Sequence, residues 1–489
     1  MSEKRKNRAG IDPVESVAGG SRRALRYFPR FVVAFGDVAL VLTGFYLAFV
    51  IRFGPDIPPT NWNTFLDLGP WLAVGTLLVL AGLGLYDRRL NGFVPTLRGL
   101  LTGVILVGLA TAAASYWFRE FAFPRSIILI GGCVQLALLV GWRWLVWRAD
   151  CRLHGRRRLL IVGDDGEART FWGKLWGMPS GAFWSVGVLP PERADQLADR
   201  LAGADAVVVM PSASSEVRRK VVAASLEKGR EVYLVPSDYE VMVNTARVSQ
   251  IGDLPVLQLE RFQLSWFQAL GKRLMDVSVA LVGLIVGLPV LACLMLLIPA
   301  TSPGSPFYVQ ERVGQHGRVF RLYKLRTMVA DAEQHTGPVL ATADDPRVTR
   351  VGRLLRATRL DELPQLFNVL KGDMSIVGPR PERPEFVEKF EAENPAYHYR
   401  HLVKPGLTGL AQVQGRYDTS AEDKLRFDLY YIRNYSLLLD LQILLQTIPV
   451  VLTPSAARGR KTDVEQNTIA FLTNRRAEYE RNLLDRRVP

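Results

Sequence analysis

The chain has 489 residues, of which 48% are hydrophobic and 22% charged, and it carries a formal net charge of +14. That length accommodates about three domains, and the basic balance suits nucleic acid, anionic lipid or phosphorylated substrates. Zinc-finger spacing and interleaved aromatic and basic runs are absent, which argues against nucleic acid, and the scattered Cys133, Cys151 and Cys293 exclude a disulfide framework or a cysteine metal site.

Residues 1–30 form a basic N-terminal tail that begins with Lys4-Arg5-Lys6. The first apolar stretch after it is too long for a signal-peptide core, so a retained membrane anchor is expected. Four segments of spanning length follow, Phe31–Phe53, Phe65–Tyr86, Leu97–Phe118 and Ile127–Trp147. They predict a four-helix transmembrane bundle over residues 31–150. Arg22, Arg23, Arg26 and Arg30 precede the first span, and Arg148, Arg152, Arg156, Arg157 and Arg158 follow the fourth. The connection around Asp87-Arg88-Arg89 is also basic, whereas Gly54–Thr64 has no Lys or Arg. Both ends of the bundle are therefore expected in the cytoplasm; Arg119 and Arg125 in the second outer loop run against that rule.

Residues 156–262 alternate strand-like and helix-like segments. Leu159–Gly163, Trp184–Leu189, Ala206–Met210 and Glu231–Pro236 read as strands, and Ser215–Lys228 carries helical spacing. This predicts a Rossmann-like, doubly wound parallel sheet. The first turn, Gly163-Asp-Asp-Gly166, lacks the full glycine fingerprint and puts two acids where a pyrophosphate needs open amides. A degenerate nucleotide-fold domain with a structural or regulatory role is expected.

A catalytic domain is expected over 266–455. Lys272-Arg273-Leu-Met-Asp276 opens it, and an uncharged stretch runs on to Ser305. Pro289 interrupts that stretch, and basic residues flank it on both sides: Lys272 and Arg273, then Arg312, Arg318, Arg321, Lys324 and Arg326. The reading is a re-entrant helix–break–helix hairpin, 272–300, that breaks at Pro289 and dips into the inner leaflet. Leu437–Leu452 is apolar at helical spacing but interrupted by Asp440, Gln442 and Gln446, so it lies in the interface or packs on the domain. A charged tail occupies 456–489.

The chemistry concentrates between Arg356 and Pro381. A helix starting near Asp361 places Pro364 in its first turn and gives an apolar stripe of Leu363, Leu366, Phe367 and Leu370. Asp361 and Glu362 then point about 100° apart, so they do different jobs. An adjacent acid pair before a helix is most often a cap plus a dipole-favoured charge. Here Arg356 and Arg380, the latter in the rigid Gly378-Pro-Arg-Pro segment, bracket the pair, and Lys324 and Arg326 of Tyr323-Lys-Leu-Arg-Thr-Met add cations. Carboxylates among guanidinium forks suit a phosphate ester and its metal ion. Lipid-headgroup contact is the equal alternative for Lys324 and Arg326, and His398 and His401 read as surface or core polar residues.

These motifs, with Lys404-Pro-Gly-Leu-Thr-Gly, run in the order found in the bacterial polyprenyl-phosphate hexose-1-phosphate transferases, the monotopic phosphoglycosyl transferases. The resemblance covers Gln268–Pro454, and the bundle and middle domain resemble the long form that primes exopolysaccharide or O-antigen synthesis. Family members often carry Ser-Pro at the hairpin break; here it is Leu288-Pro289. The resemblance implies an α-rich monotopic catalytic domain on the cytoplasmic face of the bacterial inner membrane. It implies attack by Asp361 on the β-phosphorus of a UDP-sugar, release of UMP, and transfer to undecaprenyl phosphate lying among membrane lipid. UDP-galactose or UDP-glucose is the usual donor. Glu362 would assist, Mg2+ would sit on Asp361 or Glu362, and Arg356, Arg380, Lys324 and Arg326 would hold phosphate oxygens. A homo-oligomer is left open. Two rivals fare worse. A nucleotide-sugar dehydratase or epimerase needs an intact glycine fingerprint and a Tyr-x-x-x-Lys pair, which the chain lacks; a flippase needs ionisable residues within its spans, and these show little beyond Asp37.

Overall fold

The computed structural model describes residues 30–86, 93–117, 124–154, 157–176, 183–244, 246–251, 253–259, 262, 264–329, 332, 345–415 and 419–452. The expected N-terminal and C-terminal tails, the Asp87–Arg89 connection and Arg119 lie outside the described residues. The chain divides into two compact units, 1–208 with 216–233 and 209–215 with 234–489.

In the first unit the apolar segments form α1 (Arg30–Phe53), α2 (Pro59–Gly82), α3 (Phe93–Trp117) and α4 (Arg125–His154). Both α1 and α3 pack on α2 and on α4, around a core that includes Phe45, Phe49, Leu100 and Leu139. Their outward faces stay apolar: Phe35 is 76% exposed, Trp71 74% and Leu129 73%. In water such a surface would aggregate; facing hydrocarbon it costs nothing. Among the described residues five helices are long and apolar enough to cross a membrane, and this is a membrane protein. A buried charge among such helices has to be paired. Asp37 accepts from Arg143 Nε at 3.2 Å and Nη2 at 2.5 Å, while Arg143 Nη1 donates to the Leu85 carbonyl at 3.1 Å. The pairing joins α1 to α4 across a sequence separation that no local pattern reveals.

The α/β region follows the predicted alternation: β1 (Arg157–Val162), α5 (Asp165–Trp176), β2 (Phe183–Leu189), α6 (Leu197–Ala202), β3 (Ala206–Val209), α7 (Ser215–Glu227) and β4 (Glu231–Leu234). The strands form one sheet in the order β2-β1-β3-β4, and β1 and β2 run parallel, from Arg157 opposite Phe183 to Val162 opposite Leu189. The order grows outward from β1 in both directions, as in doubly wound sheets. Leu159 to Val162 and Ala206 to Val209 are all buried, which is why these segments read as continuous apolar runs rather than alternating ones.

The second unit begins with α8 (Asp238–Val243), the hairpin β5 (Arg247–Ile251) and β6 (Leu254–Gln258), and α9 (Trp266–Thr301). It continues through β7 (Phe307–Val313), β8 (Val319–Leu325), α10 (Arg350–Thr358), α11 (Gln365–Lys371), β9 (Ser375–Val377), α12 (Pro384–Glu393), β10 (Gly406–Thr408), α13 (Leu410–Gln414), α14 (Ala421–Arg433) and α15 (Leu437–Val451). Where the sequence suggested helix–break–helix, α9 is one helical element that passes through Pro289 and Pro299. Its buried residues, Lys272, Asp276, Ala280, Leu284, Leu291 and Ile298, fall on one stripe. Before Pro289, Ala280 and Leu284 join the core with Leu366, Ile376 and Tyr431; after it, Leu291 and Ile298 pack with Leu325 and Leu355. Both halves thus rest on the same domain, which offsets the hydrogen bond a mid-helix proline forfeits.

Lys272 and Arg273, expected as basic flanks at a membrane surface, instead turn inward. Lys272 Nζ donates to Asp440 at 2.9 Å, to the Val377 carbonyl at 3.0 Å and to the Tyr431 hydroxyl at 3.3 Å. Arg273 donates to the carbonyls of Val369 and Leu370, both at 2.7 Å, closing the C-terminal end of α11 where a cation is favoured. α15 takes the second of its two expected positions: it packs on α9, β9, β10 and α13, with Asp440, Ile443 and Gln446 buried.

β9 and β10 pair in parallel, Ser375 opposite Gly406 and Val377 opposite Thr408. A Cβ at Gly406 would lie 2.1 Å from the Gly378 nitrogen, and one at Gly378 would lie 2.5 Å from the Lys404 carbonyl oxygen. The glycines of the Gly-Pro-Arg-Pro and Lys-Pro-Gly-Leu-Thr-Gly motifs are therefore where two backbones cross in contact. Lys272→Met, which leaves Asp440 buried and without its cation, is expected to cost about 3–5 kcal/mol. Lys272→Met/Asp440→Leu should recover most of it in denaturant unfolding monitored in detergent.

Candidate active site

The acid pair sits in a turn between two helices, and the helix expected to start there begins about one turn later. α10 begins with Thr349 Oγ1 accepting from the Gly352 amide at 2.9 Å and ends at Arg359, whose φ of 60° is left-handed. That conformation is uncommon for a residue with a side chain and recurs at functional turns. It turns the chain into a single 3₁₀ turn, Leu360–Glu362, and α11 proper starts only at Gln365, with Pro364 as its cap. The helix expected to start near Asp361 is thus a tight turn first, because the left-handed residue and the proline together delay the regular ladder. Of the predicted apolar stripe, Leu366 is buried, Leu363 and Leu370 pack against the core, and Phe367 is exposed.

The small residues of α9 let this turn come close. A Cβ at Gly283 would meet Leu366 at 3.0 Å and one at Gly287 would meet Leu363 at 3.3 Å. Gly287 lies two residues before Pro289, so α9 runs close against Leu363 and Leu366, which follow the acid pair in the chain. Asn368, fully buried, fixes the other side: its amide donates to the Arg321 carbonyl at 2.7 Å and its carbonyl accepts from the Tyr323 amide at 3.1 Å. This sets α11 against β8 and so sets the distance from Lys324 to the carboxylates.

The two acids have opposite surroundings. Glu362 Oε1 accepts from Arg380 Nη2 at 2.7 Å and lies 3.7 Å from Lys324 Nζ. Burial opposes its ionisation, but these two cations and Arg359 win and hold it well below the usual carboxylate range. Asp361 is 9% exposed, and among the described residues its carboxylate makes no hydrogen bond or ion pair. Burial first, then the charge of Glu362, push it up to about 6, against the longer-range pull of Lys324, Arg356 and Arg380. Lys324 itself is lowered, by burial and then by Arg380, with Glu362 resisting. The site is a carboxylate with free lone pairs, set beside a second carboxylate that already holds the cations.

Residues 267–454 match the family described as Bacterial sugar transferase. The chain is 40% identical over 387 residues to the UDP-galactose-lipid carrier transferase of Erwinia amylovora, an alignment covering 72% of this chain and 79% of that one. It is 31% identical over 354 residues to the UDP-glucose:undecaprenyl-phosphate glucose-1-phosphate transferase of Escherichia coli K12, covering 68% and 74%. The chain belongs to the bacterial sugar transferases. A third relative, the UDP-N-acetylgalactosamine-undecaprenyl-phosphate N-acetylgalactosaminephosphotransferase of Aeromonas hydrophila, is 46% identical over 217 residues, 44% of this chain and 51% of that one; there the chain spans about half the relative's length.

Within the family's matched segment, four of the five expected cation and acid positions around Glu362 come together: Asp361, Lys324, Arg356 and Arg380. Arg326 does not join them. Its Nη1 donates to the Pro303 carbonyl at 2.7 Å and its Nη2 to the Ser302 carbonyl, so it closes the turn after α9, where cations are favoured. Gly304, at φ +115°, leaves it the room. Arg356 is aimed by a residue to which sequence reasoning gave no role: Thr327 Oγ1 accepts from Arg356 Nε at 2.9 Å. A Cβ at Gly352 would lie 1.9 Å from the Thr327 carbonyl oxygen, so α10 is pressed onto that residue. Nothing in sequence spacing joins positions 327 and 356. His398 is exposed and bonded to the Pro395 carbonyl at 2.9 Å, and His401 is lowered to about 4 by burial and by Arg400. Both stay outside the acid pair's partners.

Among the described residues no three His, Cys, Asp or Glu side chains converge as a metal cage. Mg2+ does not need one, since one or two carboxylates plus substrate phosphates and water suffice. The uncommitted carboxylate of Asp361 beside Glu362 fits that donor set. A carboxyl whose folded pKa is raised stabilises the fold while protonated and loses that contribution as pH climbs from about 4 to about 6. Asp361→Asn should therefore unfold at a higher temperature than wild type above pH 6 and at the same temperature near pH 4. Equal midpoints at both pH values would contradict the buried, unpaired state of Asp361.

Proposed function

We propose that this chain transfers a sugar 1-phosphate from a UDP-sugar to undecaprenyl phosphate at the cytoplasmic face of the bacterial inner membrane, priming exopolysaccharide or O-antigen synthesis. The observation that carries the reading is the asymmetry of the acid pair: one buried carboxylate without a partner, the other saturated by cations. A Asp361 oxygen attacks the β-phosphorus of the UDP-sugar. The bond from that phosphorus to the bridging oxygen breaks, UMP leaves with the electron pair, and a phosphosugar–aspartyl intermediate remains. An oxygen of undecaprenyl phosphate then attacks the same phosphorus, and the Asp361 carboxylate is released. Arg380, Lys324 and Arg356 supply positive charge at the phosphoryl oxygens, and Glu362 holds the first two in place. Mg2+ bound by Asp361 or Glu362 together with the diphosphate would neutralise the charge on the departing UMP.

The apolar outer face of α9 suits a re-entrant, monotopic seat. Leu274, Leu281, Ile285, Val286 and Leu296 are exposed along it, while both halves remain on the catalytic domain, so the helix enters the leaflet without carrying the domain across. The four N-terminal helices would form a transmembrane bundle, and the doubly wound sheet a Rossmann-like domain whose broken glycine fingerprint argues for structure or regulation. The relatives' names cover N-acetylgalactosamine, glucose and galactose; UDP-galactose and UDP-glucose are the first donors to test here.

Membranes containing the protein, given undecaprenyl phosphate and a panel of UDP-sugars, should release UMP with one of them and yield a lipid product of unchanged anomeric configuration, because the C1–O bond is never broken. Inversion would rule out this route. Asp361→Asn should lower kcat at least about a thousandfold. Because Asp361 must be ionised to attack, kcat/KM should fall about tenfold per pH unit below an apparent pKa near 6; a flat profile down to pH 5 would count against Asp361 as nucleophile.

A further inference from the structure

Arg380 reaches Glu362 from the loop that leaves β9, and that loop is gripped from behind by a buried ion pair. Arg400, 5% exposed, donates from Nη2 to the Arg380 carbonyl at 2.8 Å. The same guanidinium pairs with Asp428 at 2.9 Å, donates to the Tyr397 hydroxyl, and lies 4.8 Å over the Tyr397 ring. Asp428, 2% exposed, belongs to α14, three residues before Tyr431. Residues three apart share a helix face, and the Tyr431 hydroxyl donates to the Val377 carbonyl at 3.1 Å. One face of α14 therefore holds the chain at Val377 directly and at Arg380 through Arg400. On the far side Arg312 Nη1 donates to the Pro381 carbonyl at 3.0 Å, so the peptide units around Arg380 are fixed from two directions.

A buried ion pair is a poor device for stability, since apolar residues of the same volume do as well or better. What it supplies here is direction: a guanidinium fork has a fixed plane, and its partner decides where the remaining N–H bonds point. We infer that Asp428, acting through Arg400, is a positioning residue that aims Arg380 at the phosphate ester. Neither group touches the substrate. The inference rests on the transferase reading of Arg380, and it explains why an aspartate and an arginine are buried behind a loop that carries a third charged residue to the acid pair.

The test is a double-mutant cycle read as kcat/KM for the UDP-sugar, on full-length protein in lipid, with thermal midpoints measured alongside. Asp428→Asn and Arg400→Lys should each lower kcat/KM about tenfold, mostly through KM. In an Arg380→Ala background the same changes should cost less than about twofold, because the residue they aim is gone. Arg400→Lys keeps a buried cation for Asp428, so the cycle is read on it if Asp428→Asn fails to fold. Losses that multiply fully with Arg380→Ala, or single variants with wild-type kcat/KM, overturn the positioning role. A wild-type protein that releases no UMP with any UDP-sugar sinks the transferase reading and this role with it, whereas an active wild type with multiplying losses sinks this role alone.

Discussion

The attachment of α9 to β9 is the contact on which the catalytic unit is built. Asp276 Oδ1 accepts from the Ser375 hydroxyl and the Ile376 amide, both at 2.9 Å, and Lys272, one turn earlier, donates to the Val377 carbonyl at 3.0 Å. Two successive turns of one helix thus hold all three residues of β9. The strand runs straight into Gly378-Pro379-Arg380, so the position of an oily helix determines where a guanidinium meets the acid pair. Buried charges survive there because each has its partners, Lys272 with Asp440 and Asp276 with a hydroxyl and an amide; an isolated charge in the same place would cost several kcal/mol.

The same helix faces two solvents, and its composition follows from that. The charged side chains Lys272 and Asp276 of α9 are buried in the protein, where hydrogen-bond partners exist, and its outer face is mostly apolar: Leu281, Val282, Ile285 and Val286 are exposed. α15 repeats the pattern, with Asp440 and Gln446 buried and Leu438 and Leu441 outside. In a water-soluble domain the arrangement would be reversed. The first unit obeys the same constraint where Asp37 finds Arg143 between α1 and α4, helices with apolar outward faces. In hydrocarbon the charge that has no partner is the costly one, so the ion pairs are inside and the leucines are out.

How much of this could be read from the chain alone depends on whether the determining contact is local. The four apolar helices, the alternating strands and the acid pair were legible because periodicity, burial runs and adjacent motifs are written within a few residues. The start of α11 was misplaced because a left-handed Arg359 followed by Pro364 substitutes a 3₁₀ turn for the first helical turn, and a non-glycine residue gives no hint of a positive φ. Arg326 and the pair Lys272-Arg273 were read as cations for phosphate or membrane, yet each is spent on carbonyls at helix ends or on a distant aspartate. Charge is visible in a sequence, but its partner is not when it lies 168 residues away, as Asp440 does from Lys272. Thr327, Asn368 and Arg400 were missed for the same reason: each acts on a backbone or side-chain atom far along the chain.

The chemistry of the site turns on which of two adjacent carboxylates the cations choose. Had Arg380 and Lys324 closed on Asp361, its lone pairs would be engaged and its basicity lowered, and it would be a poor nucleophile. They close on Glu362 instead, at 2.7 and 3.7 Å, because the tight turn sets the two side chains apart and Asn368 holds β8 on the Glu362 side. Positive charge is thereby held beside the acid pair while Asp361 keeps free lone pairs and a raised pKa. Glu362 and the phosphoryl oxygens would, under the proposed mechanism, compete for the same donors, so diphosphate binding would loosen Glu362. Under the proposed mechanism the saturated acid is what keeps the unsaturated one reactive.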